Sequence, residues 1–497
     1  MMANNQGSQK NVVLYVSAAI SLLFVAISII LPAQMGKASN TVMAFLTGNF
    51  GWMYLMSVFI FMITLYSIAI SRYGSIKLGQ DDEKPEFSNF QWFTMLFGSG
   101  MGIGMVFWSI AEPMMHYMSP PIGTGKTAEA MFLAMRIAFN DFGVHVWVIY
   151  ALCGLALAYF QFRKGLPCLI SSVFYPLIGD RIYGPIGKTI DVLTVFATIF
   201  GIATSLGLGA NQIASGLQFI WGIPSSPGMI AIIIAVMTVI FTFATVSGLH
   251  KAMQLVADIK VWLSIVFMVF IFLVGGSVFQ LNLFTHAVGD YLQNFIAQSL
   301  WMGNTDWVQA WPVFYRAWYI AWAAFVGQFI ARVSKGRTIR EFIFAVTLLP
   351  AGFCLIWLGI YGGAAFYLDE LSNGAIQAAV KADYTTALFV TLKHMPFYAL
   401  TAPLAIVLIV ASFAGAANSA TYVLGMLTSG GEMNPSTKLR SFWGITQGAV
   451  TIMLVLVGGI GAIKTLQTAS IAAAFPFMLI MLAMCYCIYK ALNEEDV

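Results

Sequence analysis

Residues 311–332 read WPVFYRAWYIAWAAFVGQFIAR. The run is long enough to cross a membrane, since about 20 apolar residues suffice. It is crowded with indole and phenol rings and holds one charge before its last residue, Arg316, with no acid close by in sequence. Whether the segment lies in water or in lipid decides the fold, and the rest of the chain supplies the answer. Of 497 residues, 60% are hydrophobic and 9% charged, and the mean hydropathy is +0.84. Soluble globular chains carry about 25% charged residues, so these charges cannot cover a water-facing surface. An integral membrane protein is predicted. The apolar runs are too long for transmembrane β-strands, which alternate over about ten residues, so the fold class is all-α.

Apolar runs of span length number about twelve, near 12–33, 50–71, 91–117, 143–163, 190–220, 228–247, 260–281, 311–333, 342–367, 399–428, 441–460 and 465–490. Arg72, Lys77, Arg163, Lys164, His250, Lys251, Arg332, Lys335, Arg337, Arg340, Lys438, Arg440 and Lys490 follow the even-numbered spans. The other connections hold scattered lysines (Lys37, Lys126, Lys381, Lys393, Lys464). Cytoplasmic loops carry the Lys/Arg excess, which predicts both termini in the cytoplasm and a multi-pass protein of the plasma (inner) membrane. The first run is too long for the core of a cleaved signal peptide. Residues 283–301 and 248–258 alternate apolar and polar side chains and are expected to lie along the two membrane surfaces. The tails are short, so one membrane domain is expected to account for residues 1–497. The net charge of +4 is dispersed between spans and gives no reason to expect a nucleic-acid partner. Cys153, Cys168, Cys354, Cys485 and Cys487 lack zinc-ligand spacing and read as thiols of the membrane core.

The third span contains GSGMGIGM, with Gly98, Gly100, Gly102 and Gly104 in one helical stretch. Each interior glycine costs a helix about 0.8–1 kcal/mol relative to alanine. The cluster therefore predicts an unwound segment, which survives at membrane depth only where protein or a water-filled cavity satisfies it. Transporters build their sites at such breaks; close helix packing is the plainer explanation. Trp318 and Trp322 share a helix face, as do Tyr319 and Trp322. FNDFGVHVWVIY (139–150) adds Phe142, Trp147 and Tyr150, and span three adds Trp108, with Met115 further on. Rings converging from several helices make a cage for a cation that cannot form strong hydrogen bonds, quaternary ammonium above all. An interfacial aromatic belt is the alternative.

WPVFYRAWYIAW followed by ARVSKGRTIREF, with GMGIGMVFWSIAEP and ATSLGLGANQI, resembles the betaine/carnitine/choline transporters over nearly the whole chain. The resemblance implies twelve helices: two leading ones (12–90), then a leucine-transporter-like core of two inverted five-helix repeats (91–282 and 311–490). It also implies a homotrimer and betaine-type substrates, with no cofactor or metal. Matched by position, the family's aromatic box falls on Met115, Phe142, Trp318 and Tyr319, with Trp147, Tyr150 and Trp322 alongside. Trp311 and Tyr315 match an outer site. Departures from the family pattern are Arg316 and Tyr319 in place of tryptophans, Phe142 where tryptophan is usual, and Asp141 before it. Arg316 is suited either to a zwitterion's carboxylate or to pairing with Asp141 or Glu112, intramembrane acids that need partners themselves.

Sodium-coupled members surround the ion with hydroxyls from the fifth and tenth spans. Here Ile202, Gly415 and Ala416 stand where hydroxyl residues are common, leaving Thr198. Lys260 matches an arginine that fills the equivalent space in the family's sodium-independent carnitine/γ-butyrobetaine antiporter, although Val326 replaces the methionine found there. The resemblance thus implies sodium-independent exchange, with sodium or proton symport as the alternative and interfacial snorkelling of Lys260 as the plain reading. No nucleophile is marked and the five histidines show no metal-binding spacing, so an enzyme is not expected. Nor do the spans repeat the rings of charge or carbonyl filters of a channel.

Overall fold

The computed structural model describes residues 2–100, 102–247 and 250–495, with side chains described from residue 12 onward except at 97–100, 250–254 and 460. Among the described residues the chain is helical, with one isolated extended bridge, Lys77 to Thr338. The principal helices are α1 (Met2–Ile30), α2 (Pro32–Ile70), α3 (Asn89–Gly100), α4 (Ile103–Met118), α5 (Ala128–Phe142), α6 (Val144–Ala158), α7 (Pro185–Trp221), α8 (Pro227–Val246), α9 (His250–Val274), α10 (Ser277–Gln293), α11 (Phe314–Val333), α12 (Ile339–Leu371), α13 (Tyr398–Thr428), α14 (Thr437–Gly458) and α15 (Ala462–Leu492). Ten stretches of these described residues are long and apolar enough to cross a membrane. The spans expected at 91–117 and 311–333 are not among the ten. The first is broken in its middle, and the second is rich in Trp and Tyr and carries Arg316.

That break falls within the glycine run. Helix α3 stops at Gly100 and α4 restarts at Ile103, with Gly102 extended at φ −92°, ψ 168°; Met101 lies outside the described residues. Several boundaries differ from the sequence expectation; residues 32–49, expected to be largely a connection, form the first half of α2. Residues 128–142, expected to be a connection, form α5, which meets α6 at Gly143. The surface segment expected at 248–258 is no separate element from His250 onward, because α9 runs unbroken to Val274; Gly248 and Leu249 lie outside the described residues. The seventh span, expected to reach residue 281, ends at Val274, because Gly276 takes φ 82° and turns the chain into α10. Residues 128–142 are interrupted by Glu129, Arg136, Asn140 and Asp141, which hid a helix from apolar patterning, while apolar residues on both sides of Gly276 concealed the turn there.

Helix α11 packs lengthwise on α6 and also against α7 and α15; α4 packs on α5. The fully buried side chains therefore include several unusual for their size or charge: Trp108, Trp147, Arg316 and Tyr315. At one end of the bundle the basic connections are tied by ion pairs. Arg163 Nη1 lies 2.8 Å from Asp81 Oδ1 and its Nη2 2.7 Å from Glu495 Oε2, while Lys164 Nζ lies 2.7 Å from Glu495 Oε1. Lys335 pairs with Glu83, and Arg332 with Glu86. We refer to this end as the basic face.

Candidate substrate site

Six of the expected aromatic side chains line one cavity between α4, α5, α6, α7, α11 and α12: Phe142, Trp147, Tyr150, Trp318, Tyr319 and Trp322. Gly102 and Gly104, on either side of the helix restart, complete its wall, with Met105, Val146, Ser205 and Cys354. Those four were not legible as site residues, because nothing in their own sequence context distinguishes them from core. Two expected residues lie elsewhere. Met115 packs against the core without facing this cavity, and Trp108 stacks on Tyr384 at 5.7 Å and meets Trp311 edge-on at 5.4 Å.

The rings are fixed by polar anchors and by each other. The Trp318 indole N–H donates to Ser205 Oγ at 3.1 Å, and that of Trp322 to the Gly201 carbonyl at 2.9 Å. Tyr319 is ringed by Phe142 at 6.3 Å, Tyr150 at 6.1 Å and Trp318 at 5.8 Å, the spacing of mutually packed aromatics. Gly104 is required sterically: a Cβ there would stand 2.4 Å from Trp318 Cη2. The Tyr319 hydroxyl is buried and has no hydrogen-bond partner among the described residues.

Toward the basic face the cavity continues into a larger one of about 610 Å³, which shares Gly102, Trp322 and Val326 and extends to Arg332 and Arg440. Lys260, half-buried, lines this larger space with Ser412, Gly415, Ala416, Asn418 and Ser419. A side chain added at Gly415 would meet nothing within 4 Å, so that helix turn borders open room. The Thr198 hydroxyl donates to the Thr194 carbonyl at 2.8 Å, and Ile202 is buried.

On the other side of the rings, away from the basic face, the path is packed. Tyr315 stacks on Tyr319 at 5.8 Å and meets Phe142 edge-on at 5.2 Å, with Trp311 beyond. Arg316 points away from the cavity. Its Nη1 lies 2.5 Å from Asp141 Oδ1, both side chains are at most 1% exposed, and Tyr315 donates to Glu112. Of the two roles open to Arg316, the geometry has it occupied by an acid.

A membrane-embedded aromatic cavity at a broken helix, with its facing wall from the continuous helix α11, is a carrier's architecture. The description "BCCT, betaine/carnitine/choline family transporter" matches residues 12–497. The chain belongs to the betaine/carnitine/choline transporter family. It is 69% identical over 493 residues to the "Probable glycine betaine transporter" of Desulfitobacterium hafniense, covering 99% of each chain. It is 42% identical to the glycine betaine transporter OpuD of Bacillus subtilis, covering 97% of this chain and 94% of that one. The ectoine/hydroxyectoine transporter of Virgibacillus pantothenticus is 40% identical over 99% of this chain and 98% of its own. Within this family the chain is a multi-pass membrane transporter and not an enzyme.

Proposed function

We propose that this transporter carries betaine-type quaternary ammonium zwitterions, glycine betaine foremost, with γ-butyrobetaine and carnitine as bulkier cargo. The observation that carries this reading is the convergence of six aromatic side chains on one cavity beside the helix break. Such faces attract a methylated ammonium that offers no hydrogen-bond donors. The unpartnered Tyr319 hydroxyl is the donor we assign to the cargo's carboxylate. Relatives named as glycine betaine transporters support the same cargo. The proposed frame is twelve helices, with two inverted repeats (91–282 and 311–490) rocking about the cavity in a plasma-membrane homotrimer whose termini and basic face are cytoplasmic. The distribution of Arg and Lys supports that orientation.

For the driving force we propose exchange without sodium. Sodium needs several oxygen ligands, and the hydroxyl positions are Ile202, Gly415 and Ala416. The Lys260 ammonium on the same cavity supplies the positive charge instead. Proteoliposomes preloaded with glycine betaine are expected to take up labelled betaine equally with and without sodium; uptake that collapses on sodium removal rejects exchange. Replacing Lys260→Ala together with Gly415→Thr and Ala416→Ser is expected to convert part of the flux to sodium dependence, read in the same assay.

A further inference from the structure

Glu112, His116, Asp141 and Arg316 meet behind Tyr315, one ring layer from the aromatic cavity, and all four are at most 1% exposed. A carboxylate oxygen from each of Glu112 and Asp141 and a ring nitrogen of His116 lie within 4.8 Å of one another. Arg316 takes one oxygen of Asp141 and Tyr315 donates to one oxygen of Glu112. The second oxygens, Glu112 Oε1 and Asp141 Oδ2, are buried acceptors with no donor among the described residues.

The indole of Trp307 faces His116 Nδ1 at 3.4 Å. An indole N–H only donates, so Nδ1 accepts and the neutral ring carries its hydrogen on Nε2, 3.7 Å from Glu112 Oε1. With His116 neutral, one arginine faces two carboxyls. Two carboxylates this close cannot both be ionised in a medium of low dielectric, and a net charge at membrane depth is costly. One proton between Glu112 and Asp141 neutralises the cluster and gives both orphaned oxygens a partner. His145, Tyr291 and Tyr319 lie within electrostatic reach of the cluster; none brings another permanent charge.

We propose that the Glu112–Asp141 carboxyl pair is a proton-binding site that must be filled for the path away from the basic face to close. Helices α4, α5 and α11 each contribute a charge to it, so parting them admits water and lets the proton leave; packing them again requires its return. The proton enters and leaves on one side. It therefore gates the carrier without driving it, and the site stands on the cluster alone, whatever the cargo.

Infrared difference spectroscopy of the full reconstituted chain at neutral pH, read on exchange into deuterium oxide, tests this directly. The expected result is a protonated-carboxyl band that disappears in Glu112→Gln and moves to higher frequency in Tyr315→Phe, which removes one donor to the carboxyl. No such band in the unmodified protein, or a band unchanged in Glu112→Gln, overturns the proposal. If Glu112→Gln does not fold, the Tyr315→Phe shift decides. In proteoliposomes, exchange by the unmodified protein should slow at least several-fold when only the pH on the side opposite the basic face is made alkaline. Glu112→Gln should show no such slowing at whatever rate it retains, and a persisting pH dependence also overturns the proposal. The infrared result needs no transport, so it separates this site from the cargo reading.

Discussion

Two clusters of like composition sit at different depths in this transporter. At the basic face, Arg163 and Lys164 grip Glu495 and Asp81; between α4, α5 and α11, Arg316 meets Asp141 beside Glu112. In the first, Asp81 is 86% exposed, and water shares the cost of every charge. Partial burial raises the Glu495 carboxyl, but hydrogen bonds from Arg163, Lys164 and Tyr159 outweigh it and hold the group at about 2. In the second, no side chain is more than 1% exposed, so each charge needs a partner of opposite sign or a proton. The same residue types thus form a solvated surface clasp in one place and, in the packed state described, a water-free, charge-balanced element in the other.

This contrast can be broken by substitution. Arg316→Met leaves Asp141 buried and uncompensated, which is expected to cost about 3–5 kcal/mol; thermal unfolding in detergent and transport should both suffer heavily. Exchanging the two residues, Arg316→Asp with Asp141→Arg, is expected to restore most of the loss, and a folded but inactive swap would show that the pair does more than balance charge. Arg163→Met at the surface should cost no more than about 1 kcal/mol. Ionic strength sharpens the comparison further. Raising salt to about 1 M shortens the screening length to about 3 Å, so hydrogen exchange near Glu495 should accelerate while that of α11 around Arg316 stays unchanged. The smallest effect concerns pH. Because Glu495 is held below its unfolded value near 4.3, its stabilisation is fully present above that value and is lost as pH falls toward 2. Glu495→Gln should abolish only that acid-limb sensitivity at the chain end, and its persistence in the variant would place it in another group.

Much of the candidate site was legible because its chemistry is local. The glycine run announced the break at Gly102, and ring spacing along WPVFYRAWYIAW placed Trp318, Tyr319 and Trp322 together. What could not be read depends on contacts distant in sequence. Asp141 and Arg316 are 175 positions apart, so their pairing remained one option of two. Ser205, which aims Trp318, looks like any helix serine. Met115 and Trp108 share α4 with the cavity-lining Gly104 but sit on turns that face other neighbours. The boundary at Gly143 was legible, but the helix before it, 128–142, was missed because polar and charged residues interrupt its apolar pattern, and the turn at Gly276 was passed over because apolar residues continue beyond it.

The central claim is that the aromatic cavity recognises a methylated positive charge. Calorimetric titration of the purified protein in sodium-free buffer, comparing glycine betaine with tert-butylacetate, tests it most directly, because the two differ only in nitrogen against carbon at the branched centre. A desolvated cation on ring faces is worth about 2 kcal/mol or more, so betaine is expected to bind at least about thirtyfold more tightly. Equal affinity for the two would contradict the account, since shape alone would then explain binding.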